Sequence, residues 1–389
     1  MRASKAIVAT VAAVGSIMLA AGCSSSGSPS SSTAAGSSSS GGSSAGSSTD
    51  WSTATSAAGG GGMDALVAAA KKEGSLNVIT LPADWANYGT IIKDFEAKYG
   101  IKVNSANPTG SSQDEVNAVK QENGTSAAPD VLDIGMSVAL ANTSLFAPYE
   151  VSTWSSIPAA QKAPDGVWVQ DYGGYMSIGY NSAKFPSITS VSQLLGPQFK
   201  NAVALNGNPT QANAALIGVM MMGLASGGSA DSIADGVKFF HQLKQAGNFV
   251  PVQATAATIK AGTTPVVINW DYLNTASVVG SSTWKVFVPQ DAVIGGYYAQ
   301  AINKQAPHPA AARLWEEFLY SQDASGGQNL WLEGGARPVE QQAMTSNSTI
   351  NTTAASALPP VSGTPVFLTS TQATDASTYL AANWAAAVK

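Results

Sequence analysis

The chain has 389 residues and one cysteine, with 19 Lys and Arg against 24 Asp and Glu and a formal charge of −5 at neutral pH. A single cysteine excludes an intrachain disulfide framework, and the lack of any basic run beyond the first few residues argues against a nucleic-acid partner. Only 11% of residues are charged while 44% are hydrophobic, a balance suited to a large buried core.

In chain order, Arg2 and Lys5 precede a mostly apolar run from Ala6 to Ala21. That run is too short to span a bilayer and reads as the core of a secretory signal. It leads into Leu19-Ala20-Ala21-Gly22-Cys23. These residues resemble the lipobox of bacterial lipoproteins, with Ala20 standing where leucine is commonest. The resemblance implies a lipid on Cys23 and attachment to the extracytoplasmic face of the cell membrane. An ordinary signal cut near Ala21 or Gly22 is the alternative. The domain reading is a signal over 1–22, a Ser/Gly-rich tether over 23–62, and a folded part from Met63. As a flexible chain the tether would span about 35 Å.

The folded part alternates helix and strand. Asp64–Glu73 is a helix stopped by Gly74, and Leu76–Thr80 is a buried strand. Ile91, Ile92, Phe95 and Tyr99 fall at helical spacing before Gly100, and Ile101–Val103 is the next strand. Asp114–Glu122 is helical and Val131–Gly135 a strand. Further strands are expected at Tyr175–Tyr180, Val203–Leu205, Pro265–Trp270 and Val286–Pro289. Helices are expected at Gln211–Ala225, Ala230–Gln245, Pro309–Tyr320 and Asp375–Val388. The alternation predicts an α/β fold with a mainly parallel sheet, and ligands beyond the strand ends, in the loops after Thr80, Ile134 and Asn269.

Several segments together resemble the solute-binding proteins of ABC importers, in the extracellular family 1 group of polyamine, ferric-iron and thiamine binders. They are Phe95-Glu96-Ala97-Lys98-Tyr99-Gly100-Ile101-Lys102-Val103, Ala128–Gly135, Ile178-Gly179-Tyr180-Asn181, and Ala306–Ala312 with the helix end Glu316–Ser321. The resemblance implies a two-lobed type II periplasmic-binding-protein-like fold, each lobe a mixed sheet flanked by helices, with a hinge cleft between. Lobe 1 would comprise 63–172 and 296–325, and lobe 2 173–295 and 326–389. The crossings are placed near Asp171–Tyr175 and Gly296–Gln300. It also implies a small-molecule solute and an ABC permease as partners, a monomer, no cofactor and no enzymatic activity.

Three acids sit beside aromatics: Asp84-Trp85, Asp171-Tyr172, and Asp271 between Trp270 and Tyr272. A carboxylate with an aromatic face suits an ammonium group, each cation–π contact contributing roughly 0.5–2 kcal/mol. Asp84, Trp85, Tyr88, Tyr172, Tyr175, Trp270, Asp271 and Tyr272 are therefore candidate ligand residues for a polyamine-like or neutral solute. Inter-lobe packing and helix capping are the structural alternative. Ser137 and Thr210 are hydroxyls at expected helix starts, where free N–H groups suit a carboxylate or phosphonate, or where the side chain is a plain cap. Tyr297 and Tyr298 are adjacent, as in ferric binders, but in a strand they point to opposite faces, so Tyr297 alone is assigned to the cleft. Residues 82–90, 135–142, 170–181 and 269–276 carry no Lys or Arg, which points away from an anionic ligand. The competing functions are a ferric-iron receptor of the same fold, an exported hydrolase using a pair among Asp84, Asp171 and Asp271, and a surface sensor or adhesion module.

Overall fold

The computed structural model describes residues 49–275 and 280–389; Cys23 and the signal lie outside the described residues. Helix α1 (Met63–Glu73) leads into β1 (Ser75–Ile79), and α2 (Tyr88–Tyr99) connects β1 to the parallel β2 (Lys102–Ala106). Helix α2 buries Tyr88, Ile91 and Phe95, one side of a 3.6-residue period, and stops at Gly100, whose φ of 70° ends the helix in the left-handed region. Helix α3 (Ser112–Glu122) opens with a capping box in which Ser111 and Asp114 exchange bonds. Strand β3 (Val131–Gly135) runs straight into α4 (Met136–Ala141), followed by β4 (Phe146–Ala147).

The next strand, β5 (Val169–Asn181), is 13 residues long. Beyond it come β6 (Val203–Leu205), α5 (Asn213–Ala225), α6 (Ala234–Gln245), β7 (Phe249–Val250), α7 (Ala256–Lys260), β8 (Val266–Trp270) and β9 (Trp284–Phe287). The chain returns through β10 (Ile294–Asn303), α8 (Pro309–Leu319), α9 (Gly327–Glu333) and β11 (Arg337–Pro338). It closes with α10 (Gln341–Ser346), α11 (Thr352–Ser356), β12 (Val366–Phe367) and α12 (Ser370–Ala387). Helix α12 begins before the expected Asp375 because Thr369 and Gln372 form a capping box.

The large sheet has the order β12-β10-β5-β8-β6-β7, with β3 and β4 also on β10 and β9 and β11 also on β5. The expected parallel pairing holds for β1–β2, β6–β7 and β6–β8. It fails at the centre, where β5 and β10 run antiparallel and β10 pairs antiparallel with β3. The first half of β5 pairs with β10, from Val169 to Tyr175, and the second half with β8, from Met176 to Tyr180. The segments expected to cross between lobes, 171–175 and 296–300, thus lie on strands paired with one another. A bulge between Tyr297 and Ala299 shifts their register.

The tether expectation does not hold for its last residues. Trp51 and Ala57 are buried, Arg313 donates to the carbonyls of Ala54 at 2.7 Å and Ser52 at 3.2 Å, and Glu150 N–H bonds the carbonyl of Thr55. A Ser/Thr/Ala-rich strap carrying one tryptophan docks because that ring finds an apolar seat and a buried guanidinium satisfies its backbone. Among the described residues no helix is long and apolar enough to cross a membrane.

Candidate solute-binding site

Four rings close a cycle where β3, β5 and β10 meet the loops after β1 and β8. Trp85 contacts Tyr298 and Tyr272 edge-on at 5.8 and 6.3 Å between centroids, and Tyr172 contacts the same two at 5.8 and 6.0 Å. Trp270 stacks on Tyr272 at 6.4 Å, and Tyr88 packs edge-on against Tyr172 at 6.0 Å. Tyr172, Tyr272 and Tyr298 are buried, while Trp85 is half-buried and forms the outer wall. The loop carrying Trp85 is bent by left-handed residues, Thr80 (φ 56°), Ala86 (43°) and Asn87 (68°), and is held by a bond from Asn87 to the carbonyl of Leu330 in α9. Backbone in such conformations costs of order 1–3 kcal/mol per residue and collects at ligand clamps.

Buried carboxylates lie beneath the rings. The indole Nε1 of Trp85 donates to Tyr172 OH at 2.5 Å, and Tyr172 OH donates to Asp133 Oδ2 at 2.8 Å. Asp133 Oδ1, Glu115 Oε2 and Tyr272 OH are buried without hydrogen-bond partners. Asp171 accepts from Gln300 Nε2 at 2.7 Å and from the N–H of Tyr172 at 2.5 Å. The ion pairs among the described residues are His308–Asp130 and Arg337–Asp271, so none reaches Asp133, Asp171 or Glu115. Burial pushes the Asp133 carboxyl up to about 7 and holds Asp171 and Glu115 well above the usual carboxylate range. All three acids raise the Tyr298 phenol, in addition to its burial, which marks how closely they converge. Buried without a base, Asp171 and Glu115 are protonated and neutral at pH 7, and Asp133 is the acid of the three that ionises near neutrality.

Of the residues assigned from the sequence, Trp85, Tyr172 and Tyr272 form the cycle, with Trp270 and Tyr88 packed against it. Asp271 does not belong with a ligand ammonium. Its Oδ2 accepts from Arg337 Nη1 at 2.5 Å and its Oδ1 accepts the N–H groups of Tyr175 and Tyr272, so its charge is already matched. Tyr175 lies under that same guanidinium, 4.8 Å from its ring, and not in the cycle. Asp84 is exposed. Thr210 is exposed in a turn with Asn208 and does not cap α5, which starts at Asn213 with no side-chain cap. Asp84, Asp171 and Asp271, the acids offered for a hydrolase, are thus one exposed, one bonded to Gln300 and one paired with arginine.

Ser137 and Tyr297 line a separate cavity of about 640 Å³, with Gln170, Asn213 and Phe367 among its walls. Neighbouring tyrosines in β10 therefore part, Tyr297 into this cavity and Tyr298 into the ring cycle. Sequence reasoning missed Asp133, Glu115, Tyr298 and Arg337. Asp133 had a local signal, a lone acid inside the apolar run Val131-Leu132-Asp133-Ile134. Glu115 had another, its place on the buried side of α3 with Val116 and Val119. Arg337 had none.

A model of the bacterial extracellular solute-binding proteins matches residues 126–355, more than half of the chain. The chain belongs to that family. A search of curated proteins returned no significant match. Among solved structures, this solute-binding protein is similar to the periplasmic binding protein AfuA from Actinobacillus pleuropneumoniae, determined with fructose-6-phosphate bound. That likeness has 16% identity, a TM-score of 0.63, and covers 81% of this chain and 98% of the other. A ferric binding protein from Campylobacter jejuni matches with 16% identity, a TM-score of 0.59, and 80% and 99% coverage. A protein from Listeria monocytogenes assigned to spermidine/putrescine ABC transport matches with 13% identity, a TM-score of 0.58, and 80% and 99% coverage. The fold is the two-lobed type II periplasmic-binding-protein fold. Members of this family are binding proteins that deliver small solutes to ABC permeases.

One constellation in this solute-binding protein has the connectivity of a hydrolytic triad. His308 Nδ1 lies 2.8 Å from Asp130 Oδ2, and Nε2 lies 2.9 Å from Ser75 Oγ. A carboxylate only accepts, so Nδ1 carries the proton and the neutral ring accepts from Ser75. The geometry serves anchoring instead. Asp130 also accepts the N–H groups of Asn77 and His308, and Glu73 accepts those of Ala310 and Ala311, so the two carboxylates tie β1 and the end of α1 to the start of α8. Neither Ser75 nor His308 lines the cavity that takes Ser137 and Tyr297.

Proposed function

We propose that this solute-binding protein captures a small organic cation, polyamine-like in bearing at least one ammonium group, within the cycle of Trp85, Tyr172, Tyr272 and Tyr298 above Asp133. The observation that carries this reading is the cycle of aromatic rings over Asp133, a buried acid that ionises near neutrality, has no base paired to it and leaves Oδ1 without a hydrogen-bond partner. An ammonium group inserted among the rings would meet π faces and the unpartnered Oδ1 of Asp133 together, contributing to affinity where an anion would be repelled. The rings now touch one another, so entry requires Trp85 to swing outward with its bent loop.

The cell-surface setting is part of the same proposal. Lipid on Cys23 would hold the protein to the membrane through the Ser/Gly-rich sequence that follows it. Lobe 1 over 63–172 and 296–325 and lobe 2 over 173–295 and 326–389 would close about β5 and β10, and the closed form would dock as a monomer on the permease.

Thermal shift against spermidine, putrescine, thiamine, amino acids, sugars, sugar phosphates and ferric iron tests the assignment, because any ligand of the folded state raises the melting temperature by mass action. Amines are expected to shift it, with Asp133→Asn weakening their binding at least tenfold. A shift with ferric iron alone would reassign the phenols of Tyr172, Tyr272 and Tyr298 as metal ligands. A shift only with sugars or anions would overturn the reading.

A further inference from the structure

Beneath the rings, the polar atoms divide into committed and free. Both oxygens of Asp171 are taken, Oδ1 by the N–H of Tyr172 and Oδ2 by Gln300 Nε2. Asp133 gives Oδ2 to Tyr172 OH and keeps Oδ1 free. Tyr272 OH and Glu115 Oε2 are also buried there without a partner. The three free oxygens share one small volume, since the Asp133 charge raises both the Glu115 carboxyl and the Tyr272 phenol. Gly174 lets the Tyr272 ring press on β5, where a side chain would lie 2.6 Å from it, and this contact fixes where the hydroxyl sits.

The three differ as hydrogen-bonding groups. Oδ1 of ionised Asp133 only accepts, and the Tyr272 hydroxyl can accept beside it. Two acceptors suit a nitrogen that still carries hydrogens. A fully alkylated nitrogen would lie well on the rings but leave both oxygens dry and unpaired, a loss of tenfold or more in affinity. Glu115 has the opposite need. Burial without a base keeps it protonated, and the N–H of Asp133 and the Thr80 hydroxyl lie against its carboxyl as donors, so the proton belongs on the partnerless Oε2. A buried O–H with no acceptor is matched by an oxygen on the ligand, close to its nitrogen.

We infer that the cation site is built for a primary or secondary ammonium with a neutral oxygen close by, the amino-alcohol or amino-ether class, rather than for a quaternary ammonium or a plain alkylamine. The ammonium N–H groups donate to Asp133 Oδ1 and Tyr272 OH, and Glu115 Oε2 donates to the ligand oxygen. No covalent step is involved. The inference rests on the cation reading of that site and adds the nature of the head group.

Calorimetry on the full chain at pH 8, above the Asp133 midpoint of about 7, tests it with ethanolamine, its isostere n-propylamine, and choline. Ethanolamine is expected to bind at least tenfold more tightly than either of the others. Glu115→Met removes the donor at similar volume and is expected to make ethanolamine and n-propylamine equal, whereas Glu115→Gln, which keeps a donor, preserves the difference. In the unmodified protein, n-propylamine matching ethanolamine would overturn the ligand oxygen, and choline matching it would overturn the N–H requirement. Both results would leave the cation reading standing. A difference that survives in Glu115→Met would overturn the role of Glu115. No binding by any of the three at millimolar concentration would overturn the cation reading and this inference with it.

Discussion

Asp271 and Arg337 form a buried ion pair, with the guanidinium 2.5 Å from the carboxylate and its other arm on the carbonyl of Pro359 at 2.9 Å. Both groups are committed to each other, so the pair ties the turn after β8 to the start of β11. Removing one partner leaves the other charged in a dry site. Asp271→Asn is expected to cost about 3–5 kcal/mol in denaturant unfolding, and Asp271→Asn with Arg337→Met to recover much of it. A single-variant loss below about 1 kcal/mol would show that water reaches the pair.

Asp133 should make stability and cation affinity respond oppositely to pH. Its carboxyl is raised from 3.8 to about 7 by burial, so between those values the folded protein holds a proton that the unfolded chain has lost. Stability of the free protein is thus expected to fall as pH rises from about 4 to 7 and then level off. Cation affinity should rise over the upper part of that range as the carboxylate forms, by roughly tenfold or more from pH 5.5 to 8. Calorimetry with spermidine at both pH values checks this, and Asp133→Asn should flatten both trends. An affinity independent of pH would place the ammonium away from Asp133.

The strap of residues 49–62 should contribute measurably to the body. A chain starting at Met63 is expected to melt lower than one starting at Thr49, and Trp51→Ala to cost about 3 kcal/mol by loss of its buried ring. Matching melting curves for the two chains would mean that the strap is undocked in solution.

The Asp130–His308 contact should stabilise the protein on the acid side of neutrality. Hydrogen bonding to Asp130 raises the imidazole above its ordinary 6.5. The bonded imidazolium therefore adds stability in full below 6.5, and that share is lost as pH climbs through the folded value. NMR titration of the His308 ring should give a midpoint above 6.5 that drops in Asp130→Asn. Ser75→Ala should leave it nearly in place, because the serine hydroxyl donates to Nε2 of the neutral ring and accepts from it in the imidazolium. A midpoint at or below 6.5 in the unmodified protein would contradict the contact.

Much of the fold was legible because its signals are local. The spacing of Ile91 and Phe95 with the stop at Gly100, the proline opening α8, and the apolar run Val266–Trp270 each report on a few neighbouring residues. Loop chemistry was legible to the same degree: Trp85, Tyr172 and Tyr272 were marked by lying beside acids at strand ends, and they do meet. Of their acids only Asp171 followed its neighbour beneath the rings. Asp84 stays in solvent and Asp271 is matched by an arginine far along the chain, a pairing with no periodicity to announce it.

By itself, the sequence determined the order of helices and strands, the family, and which aromatic residues stand at the ends of strands, since propensity, caps and motifs act within a turn or two of chain. Only the tertiary structure decided which charges are matched and which are left bare. Antiparallel β5 and β10 set Asp133, Tyr172 and Tyr298 together and part Tyr297 from its neighbour, and the pairing of β5 with both β8 and β11 carries Arg337 to Asp271. Whether a buried carboxylate has its counter-ion depends on contacts a few ångströms long between distant segments, and it is the unmatched ones that shape the site.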